Sequence, residues 1–152
     1  SITDERKEVI DFTEAYTPPS ASAYAALSAD VDVNSGVVAA QTGTIQAAHV
    51  AESGATLLEF PTPDDTIAAV RNGEADAVMA DKDYLVPFVE ESNGALVFVG
   101  GDVPLGGGIG MGLRKSDTAL KARLDEGIQK LKASGELNEL IVKWFGADAE
   151  TW

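Results

Sequence analysis

The sequence predicts an α/β fold with a mainly parallel sheet and helices on both of its faces. Three observations carry that prediction. Across residues 37–99, short apolar runs alternate with segments of helical character, the order that parallel strands and their crossover helices require. These apolar runs lack polar alternation, as expected of strands covered on both faces. Residues 117–132 and 136–145 hold apolar side chains at helical spacing on either side of Gly135.

Taken in order, Val9-Ile10-Asp11-Phe12 reads as a short strand, and the breaker Thr17-Pro18-Pro19-Ser20 marks a crossing between structural units. Tyr24-Ala25-Ala26-Leu27 reads as a second short strand. A polar turn over 30–36 leads into Val37-Val38-Ala39-Ala40, a run of buried-strand type. Residues 44–52 are alanine-rich and helical, with Gly54 as the C-cap. Ala55-Thr56-Leu57-Leu58-Glu59-Phe60 is a strand. Thr62-Pro63-Asp64-Asp65 then opens a helix: threonine caps, proline suits the first position, and two acids meet the positive end of the helix dipole. That helix runs to Gly73, and Ala75-Asp76-Ala77-Val78-Met79-Ala80 forms a strand ending at Asp81. A helix bearing Tyr84, Leu85, Phe88 and Val89 and a strand over 95–99 complete the alternation. Ser116 is the expected cap of a helix over 117–132 with apolar positions Leu120, Leu124, Ile128 and Leu131. Residues 136–145 form a last amphipathic helix bearing Trp144.

With 152 residues the chain allows one ordinary domain, or part of a two-lobed protein. Its 45% hydrophobic and 24% charged residues allow a packed core and exclude wholesale disorder. The net charge of -14 would repel phosphates, so nucleic acid is excluded as a partner. The cations between Arg114 and Lys143 alternate with acids along a helical pattern, which describes a solvated helix face. Without cysteine there is no disulfide scaffold, thiolate zinc site or cysteine nucleophile. A single histidine, His49, excludes multi-histidine metal sites, and no metal or cofactor is expected. No apolar run approaches the ~18 residues of a membrane helix. The opening Ser1-Ile2-Thr3-Asp4-Glu5-Arg6 has neither the basic patch nor the apolar stretch of a signal peptide. The only methionines are Met79 and Met111, so a fragment or processed chain is expected.

Few motifs carry chemistry. The cluster from Gly106 to Gly112 matches neither a dinucleotide fingerprint nor a P-loop, and reads as a hinge or a place of close backbone approach. His49 has no catalytic partner, and Asp64 with Asp65 is explained by the helix dipole. No nucleophile elbow or zinc-protease motif is present, so no catalytic residue is assigned. Gln41-Thr42-Gly43-Thr44 is a strand-to-helix turn, either an ordinary cap or an anion site in which glycine admits a carboxylate to the backbone. Asp81 ends a buried strand, where ligands of open α/β sheets sit, and is equally readable as a helix cap. Arg6 belongs to a solvated charge run or acts as a bidentate carboxylate clamp. Taken together, Arg6 and the Thr44 helix start would hold a carboxylate and Asp81 an α-ammonium, the chemistry of a free amino acid.

Several stretches resemble the bacterial extracellular solute-binding proteins of family 3. They are Ser1-Ile2-Thr3-Asp4-Glu5-Arg6 with Val9-Ile10-Asp11-Phe12, Gln41-Thr42-Gly43-Thr44, and Gly73-Glu74-Ala75-Asp76-Ala77-Val78-Met79-Ala80-Asp81. Gly110-Met111-Gly112-Leu113-Arg114-Lys115-Ser116-Asp117, Leu131-Lys132-Ala133-Ser134-Gly135 and Lys143-Trp144-Phe145-Gly146 complete the set along essentially the whole chain. The resemblance implies a two-lobed type II periplasmic binding protein fold, with mainly parallel sheets flanked by helices, closing on an amino acid in the interlobe cleft. Residues 20–104 correspond to lobe two, and 1–19 with 105–152 to an incomplete lobe one. About half a lobe would precede Ser1, with the residues that enclose the ligand side chain.

In such proteins the arginine at the Arg6 position clamps the ligand carboxylate, Ser1 and Thr44 assist it, and Asp81 binds the α-amino group. Gln41 falls where some relatives meet the side chain. The resemblance further implies a periplasmic, non-enzymatic component of an amino-acid ABC transporter, made from a precursor with a signal peptide. It would be monomeric at full length and would deliver its ligand to an inner-membrane permease. The opening and the Leu113-to-Asp117 stretch resemble binders of lysine, arginine, histidine or opines, and the acidic charge weakly favours a cationic ligand. A dehydratase of the cyclohexadienyl type shares the fold but needs a general acid that these residues do not supply. A receptor sensor domain would have the same pocket.

Overall fold

The computed structural model describes residues 1–152, and the chain divides into two compact units, Ser1–Ser20 with Gly106–Trp152, and Ala21–Leu105. The α/β character stands, in helices α1 (Asp4–Val9), α2 (Ile45–Glu52), α3 (Pro63–Arg71), α4 (Lys82–Glu91), α5 (Thr118–Ser134) and α6 (Glu136–Phe145). The strands are β1 (Asp11–Phe12), β2 (Ala21–Ala26), β3 (Val37–Gln41), β4 (Thr56–Phe60), β5 (Ala77–Asp81), β6 (Val97–Pro104) and β7 (Gly112–Leu113).

The unit Ala21–Leu105 is built on a five-stranded sheet in the order β4-β3-β5-β2-β6. β4, β3 and β5 are parallel, as their helical crossovers demand, whereas β2 pairs antiparallel with both β5 and β6. The sheet is therefore mixed, with parallel pairing confined to the half joined by helices. Side chains alternate across it into two cores. Ala23, Ala25, Ala39 and Val78 face Ile67 and Val70 of α3 and Leu85 of α4, while Tyr24, Ala26, Val38 and Met79 pack with Val50 of α2. In β6 the strand continues past Val99 through Gly100 and Gly101, both at positive φ, and its register against β2 shifts there. A β-carbon on Gly100 would lie 2.8 Å from Val33 Cγ2, which is why the bulge needs glycine.

The other unit carries the small antiparallel sheet β1-β7 and the α5-α6 pair, whose core is Ile128, Leu137 and Ile141. The segment 4–9, in which residues 5–8 read from sequence as a charge run and Val9 as the start of a strand, is helical. Thr3 Oγ1 accepts from the Arg6 amide at 3.2 Å, and Asp4 and Glu5 occupy the first turn; Val9 is 78% exposed and drives no strand. Two caps also differ from expectation. Ser53, not Gly54, caps α2, and Asp117, not Ser116, precedes α5. Asp117 makes no capping bond because its carboxylate takes both Arg114 Nε and Nη2, at 2.9 and 3.1 Å, an ion pair that lowers its pKa. Leu120, expected to be apolar packing, is 52% exposed.

The glycine cluster is a place of close backbone approach. The Gly107 amide donates to Ile2 O and the Ile2 amide to Gly108 O, both at 2.9 Å. At Gly108, φ is +88° and an added β-carbon would stand 2.4 Å from Thr17 O. Gly108→Ala is therefore expected to destabilise the protein by about 2 kcal/mol or more, through left-handed backbone strain and overpacking. Thermal unfolding followed by circular dichroism checks this; an unchanged midpoint would contradict the packing described.

Candidate functional site

The parallel strands β3, β4 and β5 end on one edge of the sheet, at Gln41, Phe60 and Asp81, and each leads directly into a helix. The N-termini of α2, α3 and α4 thus follow the carboxyl ends of these strands, where helix dipoles and unpaired amides are available to ligands. The three starts are not alike. Thr62 caps α3 through a 3.2 Å bond from the Asp65 amide, with Asp64 and Asp65 in the first turn, and α4 has Asp83 in its first turn. Thr44 caps α2, accepting from the Ala47 amide at 3.1 Å, and no acid occupies that first turn. The leading amides of α2, Ile45 and Gln46, lie too early for an intrahelical partner. Gly43, at φ +74°, makes the turn without a side chain in the way.

Asp81 holds the N-cap position of α4 yet makes no side-chain capping bond. Its Oδ1 instead accepts from Gln46 Nε2 at 2.7 Å, and the same amide nitrogen donates to Ser22 Oγ at 2.9 Å. Gln46 is 6% exposed and Ser22 wholly buried, and Ser22 is the register partner of Asp81 across β2 and β5. A buried amide thus fixes one carboxylate oxygen from below, while Asp81 itself remains exposed. The helix-cap alternative for its side chain is not the one realised.

Beside it lies a cavity of about 190 Å³ whose lining includes Gln41, Thr44, Gln46, Thr66, Asp81 and Tyr84. Gln41 Nε2 donates to Pro61 O at 3.2 Å, Thr44 Oγ1 to Gln41 O at 2.7 Å, and Thr66 Oγ1 to Pro63 O at 2.6 Å. Tyr84 Oη donates to Asp64 Oδ1 at 2.6 Å. Burial, and then the bond to Asp64, push the Tyr84 phenol well above its ordinary range. Asp64 thus does more than complement a dipole.

In the other unit, Arg6 sits half-buried in α1 and donates from Nη1 to Ser1 O at 2.9 Å. The structure therefore brings Gln41, Thr44 and Asp81 around one cavity, and Ser1 together with Arg6. His49 lies half-buried in the last turn of α2. No three His, Asp or Glu side chains gather closely enough to hold a metal ion, and no helix is long and apolar enough to cross a membrane. Sequence reasoning missed Gln46, Ser22, Thr66 and Tyr84. The available signal was Gln46, an amide on the buried face of an otherwise alanine-rich helix, where a polar group must find partners.

Comparison with known proteins places the chain in a family. A periplasmic His/Glu/Gln/Arg/opine family-binding protein from Silicibacter pomeroyi, solved in complex with lysine, is 65% identical with a TM-score of 0.95, over 100% of this chain and 69% of that one. The glutamine-binding protein of an ABC transporter from Bacillus subtilis is 24% identical over 97% of this chain and 56% of its own length. The arginine-binding periplasmic protein of Mannheimia haemolytica is 26% identical over 95% of this chain and 63% of its own. The chain spans 56% to 63% of the length of these two curated relatives, and its α/β fold is that of a periplasmic binding protein. Matched by the family model over residues 1–147, the chain belongs to the bacterial extracellular solute-binding proteins, family 3.

Proposed function

We propose that the protein is the periplasmic substrate-binding component of an amino-acid ABC transporter. It captures one free amino acid of the basic class (lysine, arginine, histidine or similar), passes it to an inner-membrane permease, and catalyses nothing. Asp81 receives the α-ammonium. Arg6 and the leading amides of the α2 helix start at Thr44 receive the carboxylate, with Ser1 and Thr44 assisting and Gln41 meeting the side chain. Residues 20–104 serve as lobe two and residues 1–19 with 105–152 as part of lobe one, closing on the ligand by a hinge motion. At full length it works as a monomer, without cofactor or metal.

The observation that carries this reading is the carboxylate of Asp81, held by Gln46 away from the helix start it would otherwise cap. The acid-free N-terminus of α2 supports a carboxylate nearby, and the lysine complex of the Silicibacter pomeroyi protein supports the ligand class. Isothermal titration of the full-length protein is the test. Lysine or arginine is expected to bind at least about tenfold more tightly than glutamine or glutamate, a difference of about 1.4 kcal/mol. Equal affinities would remove the basic preference. Turnover of prephenate or arogenate, with no amino-acid binding, would replace the transport reading with the dehydratase.

A further inference from the structure

Arg6 is carried by a helix too short to hold itself in place. α1 has six residues, none of them buried, against the ~12–15 that an isolated helix needs. Its first end is anchored: Thr3 caps it, and Ile2 exchanges two backbone bonds of 2.9 Å with Gly107 and Gly108. Its last end has less support. The Ile10 amide returns to Arg6 O at 3.0 Å, but the other carbonyls of the last turn lie too late for a partner within the helix. Glu8 adds an acid there, where the helix dipole favours a cation. The cations of that turn point back, Lys7 to Asp4 and Arg6 to Ser1 O. The missing cation comes from 107 residues further along the chain: Lys115 Nζ donates to Glu8 O at 2.7 Å.

We propose that Lys115 is a positioning residue for amino-acid binding: its ammonium closes the last turn of α1 and so holds Arg6 ready for the ligand carboxylate. The inference rests on the carboxylate role proposed above for Arg6, and adds a residue that acts through α1 alone. The antiparallel register of β1 and β7 sets Asp11 opposite Leu113, so Lys115, two residues on, stands level with the end of α1. An ammonium there is favoured by the helix dipole and by the carbonyl it meets. Without it the last turn frays in a fraction of the molecules, and Arg6 is in place only in the rest. Apparent affinity falls in proportion to that fraction, so the loss cannot exceed what the contact contributes. For an exposed cation at a helix end that is about two- to fivefold.

The test is a double-mutant cycle, read by calorimetry of L-lysine binding to the full-length protein. Lys115→Met, which keeps an apolar stem and removes the ammonium, should weaken lysine binding about two- to fivefold. In an Arg6→Gln background the same substitution should have no further effect, because the loosened helix then carries no clamp. Lys115→Arg, which keeps a cation and a donor, should bind as the wild type does. In the unliganded protein, hydrogen exchange at the Ile10 amide should quicken in Lys115→Met by a similar factor, since that amide closes the last turn. The positioning role is wrong if Lys115→Met leaves lysine affinity or Ile10 exchange unchanged. It is equally wrong if Lys115→Met weakens the Arg6→Gln protein as much as the wild type, or if Lys115→Arg binds as poorly as Lys115→Met. In each of these cases a loss of affinity in Arg6→Gln alone leaves the amino-acid reading standing. If Arg6→Gln binds lysine as the wild type does, the carboxylate role of Arg6 falls and this inference with it.

Discussion

Asp81→Asn is expected to weaken the binding of every amino acid by roughly 10- to 100-fold while leaving the protein as stable as before. The affinity loss follows from replacing a charged acceptor for an ammonium by a neutral one, since hydrogen bonds to charged groups contribute about 1.5–3 kcal/mol. The unchanged stability follows from the local geometry. Asp81 makes no capping bond to α4, and the asparagine oxygen still accepts from Gln46, which approaches Oδ1 at 2.7 Å. Asparagine is also as good an N-cap as aspartate. Calorimetry with several amino acids, beside thermal melts, separates the two effects. A variant that binds normally would mean that Asp81 is not the ammonium receptor. One that loses stability along with affinity would mean that the residue is structural.

Gln46→Leu is expected to cost both stability and affinity. The substitution removes the 2.9 Å bond to Ser22 and the 2.7 Å bond to Asp81, and it leaves the buried Ser22 hydroxyl short of a partner. A loss of about 1–3 kcal/mol is expected, part of it recovered if the released Asp81 carboxylate turns to the amides of α4. That rotation takes the carboxylate from the ligand, so amino-acid affinity should fall as well. Urea unfolding measures the first effect as a lower midpoint at unchanged slope. A double-mutant cycle with Asp81→Asn tests the second. If the two substitutions add to within about 0.3–0.5 kcal/mol in stability and in binding, Gln46 does not position Asp81.

Much of this architecture was legible in the sequence because its signals are local. Thr62-Pro63-Asp64-Asp65 announced the start of α3 and Gly135 its place between α5 and α6, and both elements begin and end there. The strand runs at Val37 and Ala77 were visible because buried parallel strands leave unbroken apolar stretches. α1 was not seen, because the exposed Val9 beside Ile10 imitated a strand and the short Thr3 cap lay at the head of a charge run. The antiparallel pairing of β2 was not seen either, since strand direction in a sheet is set by which segments pair at long range.

At the site, Thr44 and Asp81, which line one cavity with Gln41, were legible because they start a helix or end a strand, positions that a linear reading identifies, whereas the role of Gln41 came from the family resemblance. Gln46, Ser22 and Tyr84 were missed because their importance lies in partners 24, 35 and 20 residues away in sequence. Nothing near them in the chain announces those bonds. The same limit hid the commitment of hydroxyl hydrogens around the cavity, which depends on which backbone oxygens stand within reach.

The central claim is that a free amino acid is held by both its α-ammonium and its carboxylate. The most direct measurement is a calorimetric comparison of L-lysine with ε-aminocaproate, which lacks the α-ammonium, and cadaverine, which lacks the carboxylate. Lysine is expected to bind at least about 100-fold more tightly than either, because each analogue forgoes one charged, hydrogen-bonded anchor. Affinity for ε-aminocaproate equal to that for lysine would contradict the role given to Asp81, and equal affinity for cadaverine the roles given to Arg6 and Thr44.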